Sequence, residues 1–143
     1  MIDSILLVDD ENLFHLVFED ACSLLDITLS LESVSSANEA ENRFKKWMND
    51  PRGKPACVFV DLNIIGSTFD GIELIRRINH QYGNGVVIGI ISSSSDQMEI
   101  EKAKGVGAQF WIVKSDEIEP RLELFREDYS SYAARSADFK VYR

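Results

Sequence analysis

Four short apolar runs in this 143-residue chain end on residues that could take part in phosphoryl or metal chemistry. The runs are followed by Asp9 and Asp10, by Asp61, by Ser92 and by Lys114. Three neighbouring carboxylates would repel one another, and Mg²⁺ would relieve that repulsion because it prefers carboxylate, carbonyl and water oxygens. An ammonium and a hydroxyl would then balance the charge on a phosphoryl group. The set predicts phosphoryl transfer to Asp61 as the nucleophile.

Each of these residues also has a purely structural explanation. An aspartate after a strand is often a turn residue or a helix N-cap. Ser92 opens a run of four serines, which fits a loop, and a lone lysine such as Lys114 is usually solvated. The joint pattern, in order at successive strand ends, favours the functional explanation.

The elements that must position these residues follow from hydrophobic periodicity. Continuous apolar runs predict buried strands, and segments with three- and four-residue apolar spacing predict helices between them. The alternation predicts a doubly wound α/β fold with a five-stranded parallel sheet, in which ligands bind at the carboxyl ends of the strands. The predicted strands cover residues 4–8, 27–34, 56–60, 86–91 and 108–113, and the predicted helices cover 11–25, 36–48, 71–81, 95–104 and 117–134.

Local signals set some of these boundaries. Ser36 and Glu39 form a capping-box pattern, and Gly105 is a natural C-cap. Gly83, Asn84 and Gly85 should break the chain before the fourth strand. The first helix should bury one face formed by Leu13, Phe14, Val17, Phe18, Ala21, Leu24 and Leu25.

Composition narrows the class of partner and the compartment. The net charge is −9 without a run of lysines and arginines, so direct nucleic-acid binding is disfavoured and protein partners are expected. No apolar run reaches the ~20 residues that span a bilayer, and the N-terminus lacks signal-peptide features. Cys22 and Cys57 fit buried free thiols in a reducing cytoplasm, because neither has metal-ligand spacing to His15 or His80.

With these features in place, residues 3–130 resemble the receiver domain of two-component response regulators. The resemblance rests on the acidic pair within Val8-Asp-Asp-Glu11, the Phe59-Val-Asp-Leu-Asn63 segment and Asp70-Gly-Ile-Glu-Leu74. It also includes Ser92, Gly107-Ala108 and Lys114. The resemblance implies a flavodoxin-like (βα)5 fold with strand order 2-1-3-4-5. It also implies a receiver domain over residues 1–135, with 136–143 as a tail or the start of a linker.

The resemblance further implies residue roles. Asp61 would be the phospho-acceptor, and Ser92 and Lys114 would contact the phosphoryl oxygens. The implied Mg²⁺ ligands are Asp10, Asp61 and the backbone carbonyl of Asn63, with Asp9 acting mainly through water. Trp111 would be the aromatic switch residue, turning inward as Ser92 moves toward the phosphoryl group. Its structural alternative is plain packing on the fifth strand.

Partners are implied in the same way. The donor would be a phosphohistidine on a sensor histidine kinase or a histidine phosphotransfer protein. The output face would be residues 95–135, around the fourth helix, fifth strand and fifth helix, and would meet a downstream protein, an effector domain or a second copy. The domain would catalyse its own phosphorylation and dephosphorylation without acting as an enzyme on an outside substrate.

Three departures from the family pattern concern loops. Ser115 follows the lysine where the family usually has proline, often in a cis bond, which costs more for serine. Residues 64–69 lack the usual proline and form a longer loop, and residues 49–54 also extend a connection. These changes keep open a second interpretation, a non-phosphorylated pseudo-receiver that serves as a scaffold or dimerisation module.

Two enzyme-like or cofactor-binding alternatives are weaker. A small-molecule phosphatase with an aspartyl nucleophile usually has a second acid two residues later, where this chain has Asn63. A flavin-binding protein of similar fold would place a phosphate at the helix that follows Asp9 and Asp10, where negative charge opposes it.

Overall fold

The computed structural model describes residues 2–28, 30–82 and 85–143, and in them strands and helices alternate along the chain. The elements are β1 (Ile5–Val8), α1 (Asn12–Leu25), β2 (Leu31–Val34), α2 (Ala37–Asn49), β3 (Cys57–Asp61), α3 (Gly71–Gln81), β4 (Val87–Ser92), α4 (Gln97–Gly105), β5 (Phe110–Val113), α5 (Glu119–Ala133) and β6 (Lys140–Tyr142).

The strands form one sheet in the order β2-β1-β3-β4-β5-β6, and each pair of neighbours is parallel. The predicted order 2-1-3-4-5 is confirmed. The predicted number of strands is one short, because β6 pairs with β5 and becomes the edge of the sheet.

Helices cover both faces, as the continuous apolar strands predict. Leu6, Val58 and Ile90 face α2, α3 and α4 in one core cluster. Leu7 and Phe59 belong to the opposite cluster with residues of α1 and α5. Cys22 and Cys57 are buried free thiols in this second cluster. No helix in the described ranges has the length and apolar character needed to cross a membrane.

Helix ends follow local chemistry in some places and depart from it in others. Asp70 caps α3 by accepting a hydrogen bond from the Glu73 backbone N–H, and Ser36 caps α2 in the same way from Glu39. Gly105 is the last residue of α4, and the left-handed residue is Gly107, with φ 98°. The predicted break is only partly described, since Gly83 and Asn84 lie outside the described residues.

Two sequence expectations are wrong, one about the buried face of α1 and one about the start of β2. Leu13 and Leu24 were expected on the buried face of α1, yet they are 74% and 76% exposed. The helix buries the predicted Phe14, Phe18 and Ala21 together with Cys22, because only a narrow stripe of α1 meets the sheet. The second strand was expected over residues 27–34, but β2 begins at Leu31, and Thr28 makes an isolated bridge with Ile2.

Residues 140–142 correct a further expectation, because they lie in the segment expected to be a tail or linker. After α5, Arg135 adopts a left-handed conformation with φ 59°, which turns the chain back toward β5. Val141 then lies opposite Trp111 in the sheet, and Tyr142 is buried with its hydroxyl 2.8 Å from that of Tyr132. The pairing with β5 and the contact between Tyr132 and Tyr142 order this short segment, and neither has a local sequence signature.

Candidate functional site

The parallel sheet brings the predicted site residues to one edge. Asp9 follows β1, Asp61 ends β3, Ser92 ends β4 and Lys114 follows β5, and these four strands are neighbours. The Lys114 backbone N–H donates to the Ser92 carbonyl over 2.8 Å, which extends the pairing of β4 and β5 to the site.

Asp9 is fully buried, and its two carboxylate oxygens differ. Oδ1 accepts a hydrogen bond from the Glu11 backbone N–H over 2.8 Å. Oδ2 has an ion-pair contact of 2.8 Å with Lys114 Nζ but no hydrogen bond to any described residue. The Lys114 ammonium therefore balances the charge of this buried oxygen.

Lys114 is the positive centre of the site. Its Nζ lies 2.8 Å from Asp9 Oδ2, 2.8 Å from Glu11 Oε1 and 3.7 Å from Asp61 Oδ2. It also lies 4.4 Å from the centre of the Phe14 ring, within cation–π distance. Burial alone would lower the pKa of Lys114, but Asp9, Glu11 and Asp61 outweigh it and raise that pKa. The ammonium is therefore held charged beside Asp61.

Asp61 has the opposite electrostatic environment. It is only 6% exposed. Burial, followed by repulsion from Asp9, raises the pKa of Asp61 to about 7, although Lys114 acts in the lowering direction. Asp10 and Glu11 add further repulsion. A metal ion and a phosphoryl donor would both require the ionised carboxylate, which an added cation favours.

The carboxylates that converge differ from the predicted ligand set. Oxygens of Asp9, Glu11 and Asp61 lie within 4.8 Å of one another, which fits a divalent cation. The sequence reasoning missed Glu11, although its position directly after the acidic pair and before α1 was a usable signal. Asp10 is half-buried and outside this group, and Asn63 is exposed on the loop after β3. The predicted ligands Asp10 and the Asn63 carbonyl stay predictions.

Ser92 and Trp111 are linked through one loop residue. Ser92 is buried, and its Oγ accepts a hydrogen bond from the Ser94 backbone N–H over 3.1 Å. Trp111 is fully buried and donates from Nε1 to the Ser94 carbonyl over 3.0 Å. The predicted switch pair therefore meets at the β4–α4 loop, and the Trp111 ring lies inward. Their predicted roles stay predictions.

The loop after Asp61 is fixed against α2. The Ala37 backbone N–H donates to Ser67 Oγ, and Asn38 and Thr68 exchange two hydrogen bonds. Gly71 packs directly on the Asp61 backbone, because a Cβ there would lie 2.2 Å from the Asp61 carbonyl oxygen. The longer loop is thus held on both sides.

The loop after Lys114 is built around Ser115. The described residues contain no cis peptide bond. Ser115 Oγ accepts from the Glu117 backbone N–H over 3.1 Å and from Arg121 Nη1 over 2.6 Å. A side-chain hydroxyl therefore organises the turn where the family usually has proline.

Comparisons with solved structures agree with this fold. A two component response regulator from Cytophaga hutchinsonii is 23% identical, with a TM-score of 0.78, 93% of this chain covered and 98% of that one. NtrX from Brucella abortus is 25% identical, with a TM-score of 0.70, and the match covers 95% of this chain but 28% of that one. The Mn²⁺-bound form of response regulator Rcp1 is 15% identical, with a TM-score of 0.68 and coverage of 92% and 94%.

Comparison with curated sequences gives no match. The family model for the response regulator receiver domain matches residues 5–123, which include every residue of the site described above. On that match and on the shared fold, the chain belongs to the response regulator receiver domain family.

Proposed function

We propose that this receiver domain accepts a phosphoryl group on Asp61 from a phosphohistidine of a sensor histidine kinase or a histidine phosphotransfer protein. The observation that carries the proposal is the position of a buried Asp61 carboxylate 3.7 Å from the Lys114 ammonium, beside two further carboxylates. This arrangement concentrates a nucleophile and counter-charges without a second general base aimed at an outside substrate.

The transfer would balance as follows. An Asp61 oxygen attacks the phosphorus of the phosphohistidine, an O–P bond forms, and the P–N bond breaks. The imidazole leaves with the bonding pair and takes up a proton. Lys114 would neutralise charge on the phosphoryl oxygens, and the Ser92 hydroxyl would donate to one of them. Hydrolysis of the acyl phosphate by water would return Asp61 to its carboxylate.

The site residues fit a divalent cation, and we propose Mg²⁺. Asp9, Asp61 and Glu11 supply the convergent oxygens, and Asp10 and the Asn63 carbonyl are the ligands that the family resemblance adds. When bound, the ion would neutralise charge shared by Asp61 and the phosphoryl group. The Mn²⁺-bound form of Rcp1 supports a divalent cation in a protein of this fold. In this chain the support is an excess of negative charge, because three carboxylates converge around one ammonium.

The signal would leave the site through the β4–α4 loop. Ser94 contacts both Ser92 and Trp111, so a movement of the Ser92 hydroxyl would change the loop that holds the indole. The predicted output face covers residues 95–135, and β6, which lies outside that range, pairs with β5 and adjoins the face. We therefore propose that a downstream protein, an effector domain or a second copy would meet a face that includes β6.

The pseudo-receiver alternative is favoured by one observation. Lys114 already contacts both Asp9 and Glu11 at 2.8 Å and lies farther, at 3.7 Å, from Asp61. If those two ion pairs are permanent, the lysine serves stability and does not reach a phosphoryl oxygen. The domain would then act as a scaffold or dimerisation module.

Beryllofluoride, a phosphoryl mimic, separates the two functions. We expect the protein to bind it only with Mg²⁺, and we expect the Trp111 indole N–H signal to shift in ¹⁵N NMR spectra. Asp61→Asn should abolish binding, whereas the matched Asp128→Asn change, at an ion pair of α5 with β6, should leave it intact. No binding by the folded parent protein at any Mg²⁺ concentration would favour the pseudo-receiver.

A further inference from the structure

A second charged surface lies on α2 and the loop after it, at the β2 end of the sheet. In residues 43–54, five of twelve side chains are basic and only Asp50 is acidic, a net charge of +4 in a chain of net charge −9. These residues take no part in the phosphoryl site. Such a separation of charge on an acidic protein identifies a surface that attracts anionic groups.

Trp47 lies at the centre of this surface. It is half-buried on α2 and packs edge-on against Phe44, with the ring centres 5.0 Å apart. Its side chain lines a cavity of about 510 Å³ that also contacts Arg43, Lys46 and Arg52. It also lines a second cavity of about 320 Å³, whose other walls include Phe44, Met48, Lys54 and Tyr82.

The two cavities have different chemistry. The larger one offers cations, while the smaller one offers aromatic rings and Met48, which is 59% exposed. Trp47 lines both cavities, so a basic part and an apolar part adjoin at this side chain. We call this feature the Trp47 groove. A ligand that fills both parts must itself combine negative charge with a large apolar group.

Several polar groups of the groove are available to a ligand. Lys46 and Lys54 make no side-chain ion pair or hydrogen bond within the described part of the chain, and the Trp47 Nε1–H donates none there. Arg52 pairs with Asp50, but its side chain is 90% exposed, so exchange for another carboxylate costs little. The groove therefore presents cations and an indole donor that are not committed to the fold.

We propose that the Trp47 groove binds an acidic segment of a partner protein that carries large apolar side chains. Carboxylates of that segment would pair with Lys46 and Arg52, and an apolar side chain would pack against Trp47 and Met48. An extended segment fits two adjoining cavities better than a compact small molecule does. Two acids, Glu32 and Glu39, also line the larger cavity, and Glu32 is paired with Arg43. Nucleic acid is disfavoured, because the net charge of −9 repels a long polyanion more than a short segment with a few carboxylates.

The two tryptophans allow a site-resolved test. The chain has two tryptophans, and each gives one indole N–H signal. Trp111 is fully buried and Trp47 is half-buried, and Trp47→Phe assigns the two signals. The probe is a synthetic peptide of about twelve residues in which aspartates and glutamates surround two phenylalanines. We expect a saturable shift of the Trp47 signal, with a Kd of about 10–100 μM, and no shift of the Trp111 signal.

Matched variants establish whether the groove itself is responsible. Lys46→Glu should weaken binding about tenfold. Lys45→Glu makes the same charge change one residue away, on a side chain that does not line either cavity, and should weaken binding by no more than about threefold. Both positions are exposed, and amide-signal dispersion confirms that the variants fold.

Four results would overturn the proposal. One is the absence of a saturable Trp47 shift. A second is equal weakening by Lys45→Glu and Lys46→Glu, which would indicate attraction to net charge alone. A third is undiminished binding of a control peptide whose acids are replaced by their amides. The fourth is tighter binding of a single-stranded oligonucleotide of equal charge, which would assign the groove to nucleic acid. Because the test needs no phosphorylation, it succeeds or fails independently of the Asp61 proposal.

Discussion

Two aspartates near the sheet, Asp61 and Asp128, occupy polar clusters with opposite properties. At the carboxyl edge, Asp61 lies beside Asp9 and Glu11, and burial raises its pKa to about 7. At the β5–β6 edge, Asp128 accepts hydrogen bonds from the Tyr142 hydroxyl over 2.7 Å and from Lys140 Nζ over 3.2 Å. The Tyr142 hydrogen bond, followed by Lys140, lowers the pKa of Asp128.

The Asp128 cluster stabilises the fold, whereas the Asp61 cluster is held in place by the fold at a cost in stability. The Asp128 cluster is satisfied by its own hydrogen bonds, so each member stabilises the native state. The Asp61 cluster gathers three carboxylates around one ammonium, so their repulsion costs stability unless a further cation is supplied. Chemistry is therefore expected at Asp61 and structure at Asp128.

The largest effect is expected from Tyr142→Ala, which tests the structural cluster. The buried ring contacts Phe125 and closes the β6 edge, so its removal should lower the free energy of unfolding by about 3–5 kcal/mol. Urea denaturation followed by circular dichroism measures the change. Tyr142→Phe keeps the ring and should cost only about 1 kcal/mol. Equal, small losses in both variants would show that β6 is not part of the cooperative fold.

Asp61→Asn should have the opposite sign. Replacing a buried carboxylate that faces Asp9 with a neutral amide removes both the burial cost and the repulsion. We expect the free energy of unfolding in metal-free buffer to rise by about 1–3 kcal/mol. The same urea experiment measures it. A clear loss of stability would mean that Asp61 is a structural residue like Asp128.

Much of this comparison could be anticipated from sequence. The carboxyl-end residues were predictable because a parallel sheet aligns strand ends whatever the sequence distance between them. The bounds of α3 were predictable from Asp70, a good N-cap, and from the breaking signals after Gln81. Asp61 and Lys114 lie at the carboxyl ends of β3 and β5, so they could be placed near each other without knowledge of side-chain conformation.

The remaining features depend on side-chain contacts between distant parts of the chain. Glu11 could have been suspected from its position after the acidic pair, but its contact with Lys114 spans more than a hundred residues, and spacing does not reveal it. The strand β6 depends on the Tyr132–Tyr142 pair and on the left-handed turn at Arg135. Leu13 and Leu24 fit the helical spacing yet stay exposed, because periodicity predicts which side of α1 faces the sheet but not how wide the buried stripe is.

Added Mg²⁺ should change stability by an intermediate amount and should distinguish the Asp61 cluster from the Asp128 cluster. At about ten times its dissociation constant, a ligand that binds only the native state adds about 1.4 kcal/mol to stability. We expect the parent protein to gain about that much in thermal denaturation and Asp61→Asn to gain less than half of it. Asp128→Asn should gain as much as the parent. An equal gain in all three proteins would place the cation elsewhere.

The smallest effect is expected from Asp128→Asn. Its side chain is 37% exposed, so solvent screens its interactions, and a loss of about 0.5–1 kcal/mol at neutral pH is expected. Because folding lowers the pKa of Asp128, its stabilisation exists above the unfolded pKa and disappears as the pH falls through the folded one. The gap between parent and variant should therefore close below about pH 4.

Urea titrations of Asp128→Asn and the parent at several pH values measure this gap. A gap that widens in acid would contradict the hydrogen-bonded role of the carboxylate.

Phosphorylation of the intact protein is the direct test of the proposal that Asp61 is the phospho-acceptor. The protein is incubated with Mg²⁺ and acetyl phosphate, and its intact mass is recorded. We expect the addition of one phosphoryl group, absent in Asp61→Asn and in the presence of EDTA, and retained in Asp128→Asn. No adduct on the folded parent protein under any of these conditions, or an adduct that survives Asp61→Asn, would contradict it.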